Sequence, residues 1–262
     1  MATIKRVRIF AGPNGSGKST LKEIIAPLFS IGYYINADEM LQTMRDTSRL
    51  EFSSYGLKVD GQVLEAEYAK WPIPTNHDLW YFENNGITVR EAAEVEGYFV
   101  SFLADFVRNS LLGVADRFSF ETVMSHESKL DFIRRAREAG YKTNLYFVSL
   151  PDPRLNQYRV QTRVQAGGHD VDSEKVVSRY YRTMELLLDA IKLVDKAYLF
   201  DNSSSKPQLF ARKENGELKT DGVFVPSWYK IYVIDKLKAK APVGLPTASS
   251  IITKPPCVNS LK

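Results

Sequence analysis

Short apolar runs alternate with amphipathic segments along most of this chain. The runs that predict strands span residues 7–11, 32–36, 114–120, 144–150 and 197–200. The fourth run is apolar almost throughout, as is typical of a parallel strand buried on both faces. Because strands that alternate with helices pair in parallel, the pattern predicts an α/β fold with a mostly parallel sheet and helices on both faces.

Apolar residues at helical spacing predict the covering helices. After the first strand, the spacing i, i+3, i+4, i+7 predicts one buried face formed by Leu21, Ile24, Ile25 and Leu28. A later and longer helix is predicted by Val176, Tyr180, Met184, Leu187 and Ile191. Between them, Asp152 and Pro153 form a typical helix start, and Asn215 with Gly216 predicts a hairpin turn.

Residues 42–86 interrupt this alternation and predict an irregular insertion after the second strand. The segment is polar but rich in rings, namely Tyr55, Trp71, Trp80, Tyr81 and Phe82. A long segment without clear periodicity is usually functional or disordered, and its aromatic content argues against disorder. Two interpretations stay open: it covers the acceptor site and sets substrate choice, or it packs as an appendage that thickens the core.

A long helix is predicted after this insertion. Thr88 and Glu91 would form its capping box, and its apolar stripe would be Val95, Phe99, Phe102, Leu103 and Phe106. At the other end of the chain, residues 239–262 are rich in Pro, Ser, Thr and Lys and predict a flexible tail. The organisation expected is therefore one domain over residues 1–238, followed by the tail.

Composition limits the class of protein but does not identify the reaction. The chain has 262 residues, 44% hydrophobic and 25% charged, with a net charge of +4, which suits a soluble globular protein and argues against a nucleic-acid-coating one. One cysteine, Cys257, excludes an internal disulfide and a Cys-based metal site. With no long apolar run and no signal peptide evident, we expect a cytoplasmic protein without a membrane partner.

The chemistry begins with a phosphate-binding loop after the first strand. The pattern G-x-x-x-x-G-K-[ST] is matched by Gly12, Pro13, Asn14, Gly15, Ser16, Gly17, Lys18 and Ser19, with Thr20 next. Its glycines let backbone N–H groups surround phosphates at a helix N-terminus. Lys18 adds a positive charge for the β- and γ-phosphates, and Ser19 offers a hydroxyl to Mg²⁺. The motif predicts ATP and Mg²⁺ as cofactors.

Two carboxylates follow predicted strands whose carboxyl ends should meet at this loop. Asp38 follows the second strand and is our candidate for the general base of phosphoryl transfer; its other interpretation is a helix cap. Glu121 follows the third strand and is a candidate to bind substrate or to reach the metal through water. Its other interpretation is a strand-end carboxylate in solvent.

Arginines flank a pair of glycines and predict a helical lid over residues 159–182. The cations are Arg159, Arg163, Arg179 and Arg182. Gly167 and Gly168 would break the helix and form a hinge. Closure would bring guanidinium groups to the γ-phosphate, whereas the plainer interpretation is a solvated helical hairpin.

With these pieces the chain resembles the zeta toxin family of P-loop kinases. The matching stretches are residues 11–20, 35–39, 118–122, 163–171, 179–182 and 199–203. The resemblance implies ATP-dependent phosphorylation of a small-molecule hydroxyl, that of UDP-N-acetylglucosamine in the studied members, by a toxin with an antitoxin partner. It also implies that Asp38 is the base, that Lys18 and a lid arginine hold the γ-phosphate, and that Glu121 contacts the substrate.

Two departures and two other functions stand beside the resemblance. Residues 122–125 differ from the substrate-facing turn of the family, and the insertion at 42–86 is longer than in simple members. A polynucleotide 5′-hydroxyl kinase would use a similar core, with a basic groove leading to the site. A switch ATPase would need four apolar residues before an acid, and the run from Phe118 to Glu121 fits that pattern poorly.

Overall fold

A seven-stranded sheet organises the part of the chain that the computed structural model describes, residues 4–73, 77–90, 95–168, 170–221 and 224–239. Its strand order is β10-β9-β8-β7-β1-β6-β2. The strands are β1 (Arg6–Ala11), β2 (Tyr33–Ile35), β6 (Arg117–Thr122), β7 (Lys142–Ser149), β8 (Lys196–Asp201), β9 (Gln208–Glu214) and β10 (Glu217–Thr220). β2, β6, β1, β7 and β8 are parallel, and the β9–β10 hairpin is antiparallel. The predicted mostly parallel sheet is confirmed.

Helices cover both faces of this sheet, as the alternation predicts. They are α1 (Lys18–Ile25), α2 (Ala37–Thr47), α4 (Gly97–Ser110), α5 (Ser128–Glu138), α6 (Pro153–Gln165) and α7 (Ser173–Leu193). Buried residues of α2, α4, α5 and α7 form a large core on one face. On the opposite face, Leu21 and Ile25 of α1 pack with Phe10, Tyr146 and Val148 in a smaller cluster.

The register of the parallel strands aligns their carboxyl ends. Ala11 at the end of β1 lies between Thr122 of β6 and Phe147 of β7. Ile35, the last residue of β2, pairs with Phe120. The loops that follow these strands therefore emerge at one edge of the sheet, which is where ligands bind in open α/β folds.

Several sequence-based boundaries need correction. α1 ends at Ile25, so Leu28 lies beyond it at 65% exposure, and Ile24 is also exposed; the buried face is narrower than its spacing indicated. β6 begins at Arg117 rather than at Val114, and it includes Glu121 and Thr122 within the strand. The hairpin at Asn215–Gly216, the Asp152 cap and the apolar stripe of α7 all form as predicted.

The segment 42–86 is regular rather than irregular. It contains the end of α2, β3 (Arg49–Glu51), a 3₁₀ turn (Phe52–Tyr55), α3 (Gly61–Ala69), a second 3₁₀ turn (His77–Leu79), β4 (Trp80–Glu83) and the start of β5 (Gly86–Val89). The three strands form a small antiparallel sheet in the order β3-β5-β4. Thr88 lies inside β5 and α4 begins only at Gly97, so the predicted capping box is wrong; Glu91 lies outside the described residues.

Rings of this insertion pack onto α4. The Trp80 ring stacks on Phe99 with centroids 4.9 Å apart, and Tyr68 meets Trp80 edge-on at 5.1 Å. Trp71 contacts Phe102 at 5.6 Å. Such pairs contribute about 0.5–1.5 kcal/mol each beyond the area they bury. The insertion thus supports the outer side of α4.

The chain ends its described part in a short helical segment: α8 (Ser227–Tyr229), a π-helical turn (Lys230–Ile234) and α9 (Asp235–Ala239). Trp228 is buried against Phe147 and Phe210. The predicted tail lies outside the described residues beyond Ala239. Among the described helices, none is both long and apolar enough to cross a membrane.

Candidate active site

The phosphate-binding loop connects β1 to α1 in a conformation that requires glycine. Gly15 and Gly17 have φ of 71° and 97°, and Gly17 is the N-cap of α1. A Cβ on Gly12 would lie 2.1 Å from the carbonyl oxygen of Val148, and one on Gly17 would lie 2.3 Å from Nδ2 of Asn202. Larger residues would therefore displace the backbone that has to approach a phosphate.

Two buried asparagines hold this loop from the side of β7 and β8. Asn156 of α6 donates from Nδ2 to the carbonyl of Asn14 at 2.6 Å. Asn202 donates from Nδ2 to the carbonyl of Ser16 at 2.8 Å, and its own carbonyl accepts from Arg159 at 2.8 Å. Arg159 thus braces the loop as well as lining the cavity beside it.

Lys18 begins α1 and lines the same cavity. Its Nζ donates to the carbonyl of Pro13 at 3.1 Å, which folds the side chain back over the loop. Burial lowers the pKa of Lys18, while the charges of Glu121 and Asp38 act in the opposite direction. An anion at this position would favour the charged ammonium.

Glu121 links the loop to β2 through both carboxylate oxygens. Oε2 accepts from the Ser19 hydroxyl at 3.2 Å, and Oε1 accepts from the hydroxyl of Tyr34. Burial, and then the adjacent Glu121, raise the pKa of Tyr34, so the phenol stays protonated and keeps donating. The interpretation of Glu121 as a strand-end carboxylate in solvent is therefore wrong.

Asn36, not Asp38, caps α2. The Asn36 side chain accepts from the backbone N–H of Asp38 at 2.9 Å and donates to the Tyr34 hydroxyl at 3.2 Å. The carboxylate of Asp38 therefore does not cap the helix. It is 58% exposed, and its Oδ2 lies 3.9 Å from Nη1 of Arg163. The alternative interpretation of Asp38 as a helix cap is thus wrong.

The predicted lid region forms a helical hairpin of α6 and α7. α6 ends where the N–H of Gly168 binds the carbonyl of Arg163 at 2.9 Å, with Gly167 at φ 87°. Arg163 and Arg179 both line the cavity, whereas Arg182 is exposed and does not. Lys175, in the first turn of α7, is a further cation on the cavity wall.

The cavity has a volume of about 670 Å³ and crosses the carboxyl edge of the sheet. One wall is the phosphate loop and the lid hairpin. The other comes from α2, α4, the turn after β6 and the start of α5, including Tyr98, Ser101 and Lys129. None of the described residues from 42 to 86 lines it, and the rings of this insertion pack against α4, which favours its interpretation as an appendage that thickens the core.

The turn after β6 carries backbone strain. Met124 is buried at φ 58°, a conformation that costs a residue with a Cβ roughly 1–2 kcal/mol. Its N–H donates to the Thr122 hydroxyl at 3.0 Å, and the preceding carbonyl of Val123 accepts from Thr183 at 2.7 Å. These bonds from two elements hold the turn that brings Ser125 and the residues after it to the cavity.

Sequence reasoning missed the side chains that support the site from a distance. Tyr34 looked like part of a strand and Asn156 like an ordinary helix residue. Lys129 gave no motif signal at all. Asn156 is a polar residue on the inward side of α6, but its partner Asn14 is 142 residues away in the chain, so local sequence gives no sign of the contact.

Comparison with solved structures places this fold among known ones. The chain is similar to a crystal structure of the AvrRxo1-ORF1:-ORF2 complex with ATP, with a TM-score of 0.53, 16% identity, and coverage of 84% of this chain and 61% of that chain. A structure of the same complex with sulphate ions gives a TM-score of 0.52 at 16% identity, covering 84% and 62%. The chain thus spans about three fifths of the length of these proteins.

A weaker likeness is to the PezAT chromosomal toxin–antitoxin system of Streptococcus pneumoniae, with a TM-score of 0.46, 12% identity, and coverage of 78% and 71%. No protein-family model matches the chain, and no curated protein sequence matches it. Structural similarity at 16% sequence identity shows a shared fold. At that level the expected α/β fold with a mostly parallel sheet is confirmed, and the chain shares its fold with the AvrRxo1-ORF1:-ORF2 structures.

Proposed function

We propose that this protein is an ATP-dependent phosphotransferase that moves the γ-phosphate of ATP to a hydroxyl group of a small molecule. The observation that carries the proposal is the meeting, in one cavity, of a phosphate loop with Lys18, a strand-end pair of carboxylates and two lid arginines. Phosphoryl transfer needs these groups and little covalent chemistry from the protein.

The residues present fit ATP and Mg²⁺. The loop presents a cradle that a Cβ at Gly12 or Gly17 would fill. Ser19 Oγ and Glu121 Oε2 are oxygen donors 3.2 Å apart, the ligand type that Mg²⁺ prefers alongside phosphate oxygens and water. Bound together, the two cofactors supply the phosphoryl group and neutralise its charge.

Each remaining residue has a role in this scheme. Lys18 would hold the β- and γ-phosphates. Asp38 would take the proton of the acceptor hydroxyl while the hydroxyl oxygen forms a bond to the γ-phosphorus. The bond between the γ-phosphorus and the bridging oxygen would break, and ADP would leave with that electron pair. Arg163 and Arg179 would stabilise the charge on the transferring group.

The finer proposal is that the protein is a toxin that acts on a sugar nucleotide. UDP-N-acetylglucosamine is the acceptor that the family resemblance suggests, an antitoxin protein is the partner, and the cytoplasm, where ATP is supplied, is the compartment. The likeness to a protein crystallised as AvrRxo1-ORF1 with AvrRxo1-ORF2 is compatible with such a partner.

Labelled ATP tests the proposal. The protein is incubated with Mg²⁺, ATP labelled at the γ-phosphate, and a panel of sugar nucleotides, nucleosides and oligonucleotides. We expect label in a sugar nucleotide, and none when Lys18→Ala replaces the wild type. Label in the oligonucleotides would instead identify a polynucleotide 5′-hydroxyl kinase, and label only in free phosphate would identify an NTP-hydrolysing switch.

A further inference from the structure

A cluster of charged side chains lies on the cavity wall away from the phosphate loop. Asp105 and Arg108 of α4 form an ion pair, and Lys129 of α5 donates to the same Asp105 carboxylate at 3.2 Å. Arg108 and Lys129 line the cavity, whereas Asp105 does not. Two positive charges thus share one negative charge, with the cations on the cavity side.

Arg108 is fixed in place by aromatic rings. Its guanidinium lies over Phe120 at 4.8 Å and over Phe132 at 4.7 Å, and the residue is 4% exposed. Within the described residues its Nε has no hydrogen-bond partner. A buried and a half-buried cation that share one carboxylate leave a net positive charge, which is costly unless an anion compensates it. The cluster would therefore bind a negatively charged group from the cavity favourably.

His126 adds a donor beside this cluster. Its Nδ1 accepts from the backbone N–H of Ser128 at 3.2 Å. A backbone N–H can only donate, so in the neutral ring the proton is on Nε2, which is then a donor. His126 lines the cavity at the N-terminus of α5, whose dipole also favours an anion.

The position of the cluster separates it from the nucleotide. α1 and the phosphate loop belong to one face of the sheet, and α4 and α5 cover the opposite face. Asp38 and Glu121 line the same cavity as Lys129. An acceptor with its hydroxyl at Asp38 would extend toward Lys129.

From this arrangement we infer that Lys129 is a specificity-determining residue that binds a phosphate or another anionic group of the acceptor, with Asp105 and Arg108 as its positioning residues. The inference rests on the proposed function, because only a kinase has a phosphate acceptor. Binding of an anion at Lys129 can nevertheless be measured without any phosphate transfer. Neutral hydroxyl compounds would lack this contact and bind more weakly.

Binding without turnover tests the inference. The wild type is saturated with Mg²⁺ and a non-hydrolysable ATP analogue, which fills the phosphate loop, and is titrated calorimetrically with N-acetylglucosamine 1-phosphate and with N-acetylglucosamine. We expect the phosphate ester to bind about 10- to 100-fold more tightly than the neutral sugar. In Lys129→Gln this preference should fall to about twofold or less, and Lys129→Arg should retain most of it.

Lys142→Gln is the matched control, because Lys142 is an exposed lysine at the opposite end of the sheet, paired with Asp195 at 3.4 Å. It should bind both probes as the wild type does. The inference is overturned if the wild type fails to bind the ester, binds both probes equally, or keeps its preference in Lys129→Gln. Retained binding without any phosphate transfer would instead sink the proposed function and leave the anion site standing.

Discussion

Asp38 and Arg163 meet across the mouth of the cavity, with Oδ2 and Nη1 3.9 Å apart. Asp38 follows β2 and Arg163 belongs to the helix after β7, and β6 and β1 lie between those strands in the sheet. The contact therefore spans the phosphate loop. Because both side chains are substantially exposed, the pair stabilises the fold little, and we expect Arg163 to exchange Asp38 for the γ-phosphate when ATP binds.

Lys18→Ala should abolish phosphate transfer and leave the fold intact. The side chain lines the cavity, so the variant loses the cation that would hold the phosphates. Transfer of label from ATP measures the activity, and circular dichroism checks the fold. Turnover equal to that of the wild type would rule out the assigned role of the loop lysine.

The lid arginines should affect the rate far more than stability. Arg163→Ala and Arg179→Ala are each expected to lower kcat by about 10²–10³-fold, because the guanidinium contacts strengthen in the transition state. Arg182→Ala is the matched control, since Arg182 is exposed and does not line the cavity. If the first two variants lose only thermal stability, or if Arg182→Ala slows transfer equally, the assignment fails.

Lys129 should make acceptor binding depend on pH. Burial, and then the charge of Arg108, lower the pKa of Lys129 from 10.5 to about 8, although Asp105 opposes the shift. The ammonium is charged below that pH and loses its proton above it. The KM for an anionic acceptor should therefore rise as pH increases through about 8 and beyond, whereas Lys129→Arg should flatten the profile.

The dependence of KM on pH can also contradict the role proposed for Lys129. Asp105 and Arg108 are the charged groups that act on Lys129, and the structure places the pKa of Lys129 at about 8. A KM that is constant from pH 7 to about 9.5, or one that changes identically in Lys129→Arg, would remove Lys129 from acceptor binding.

The insertion should matter for stability rather than for acceptor choice. Trp80 is buried and stacks on Phe99 of α4, so Trp80→Ala should lower the free energy of unfolding by about 3–5 kcal/mol. Chemical denaturation measures this loss. At a temperature where the variant is still folded, its KM values for different acceptors should keep the wild-type ranking; a changed ranking would return the insertion to the acceptor site.

Periodicity and one motif predicted the sheet, its covering helices and the position of the loop, because these depend on local alternation and on residues adjacent in the chain. The stripe of α7 from Val176 to Ile191 and the Asp152 cap are of this kind. The sequence also predicts that Asp38 and Glu121 lie close to the loop, because the carboxyl ends of parallel strands meet at one edge of the sheet.

The rest depended on contacts between distant segments. β3, β4 and β5 have only three or four residues each, too short for alternation to be recognised, so the insertion looked irregular. Asn156 and Lys129 acquire their roles from Asn14 and Asp105. Those pairings exist only once the sheet has brought the loops together.

We propose that Asp38 accepts the proton of the acceptor hydroxyl, and that the phosphate-binding loop binds ATP without help from Asp38. Single-turnover transfer from labelled ATP, measured together with ATP affinity in wild type and Asp38→Asn, tests it most directly. We predict a rate loss of roughly 10²-fold or more with nearly unchanged ATP affinity, since the amide keeps the shape and loses the proton acceptor. Equal transfer rates, or loss of ATP binding in the variant, would contradict the account.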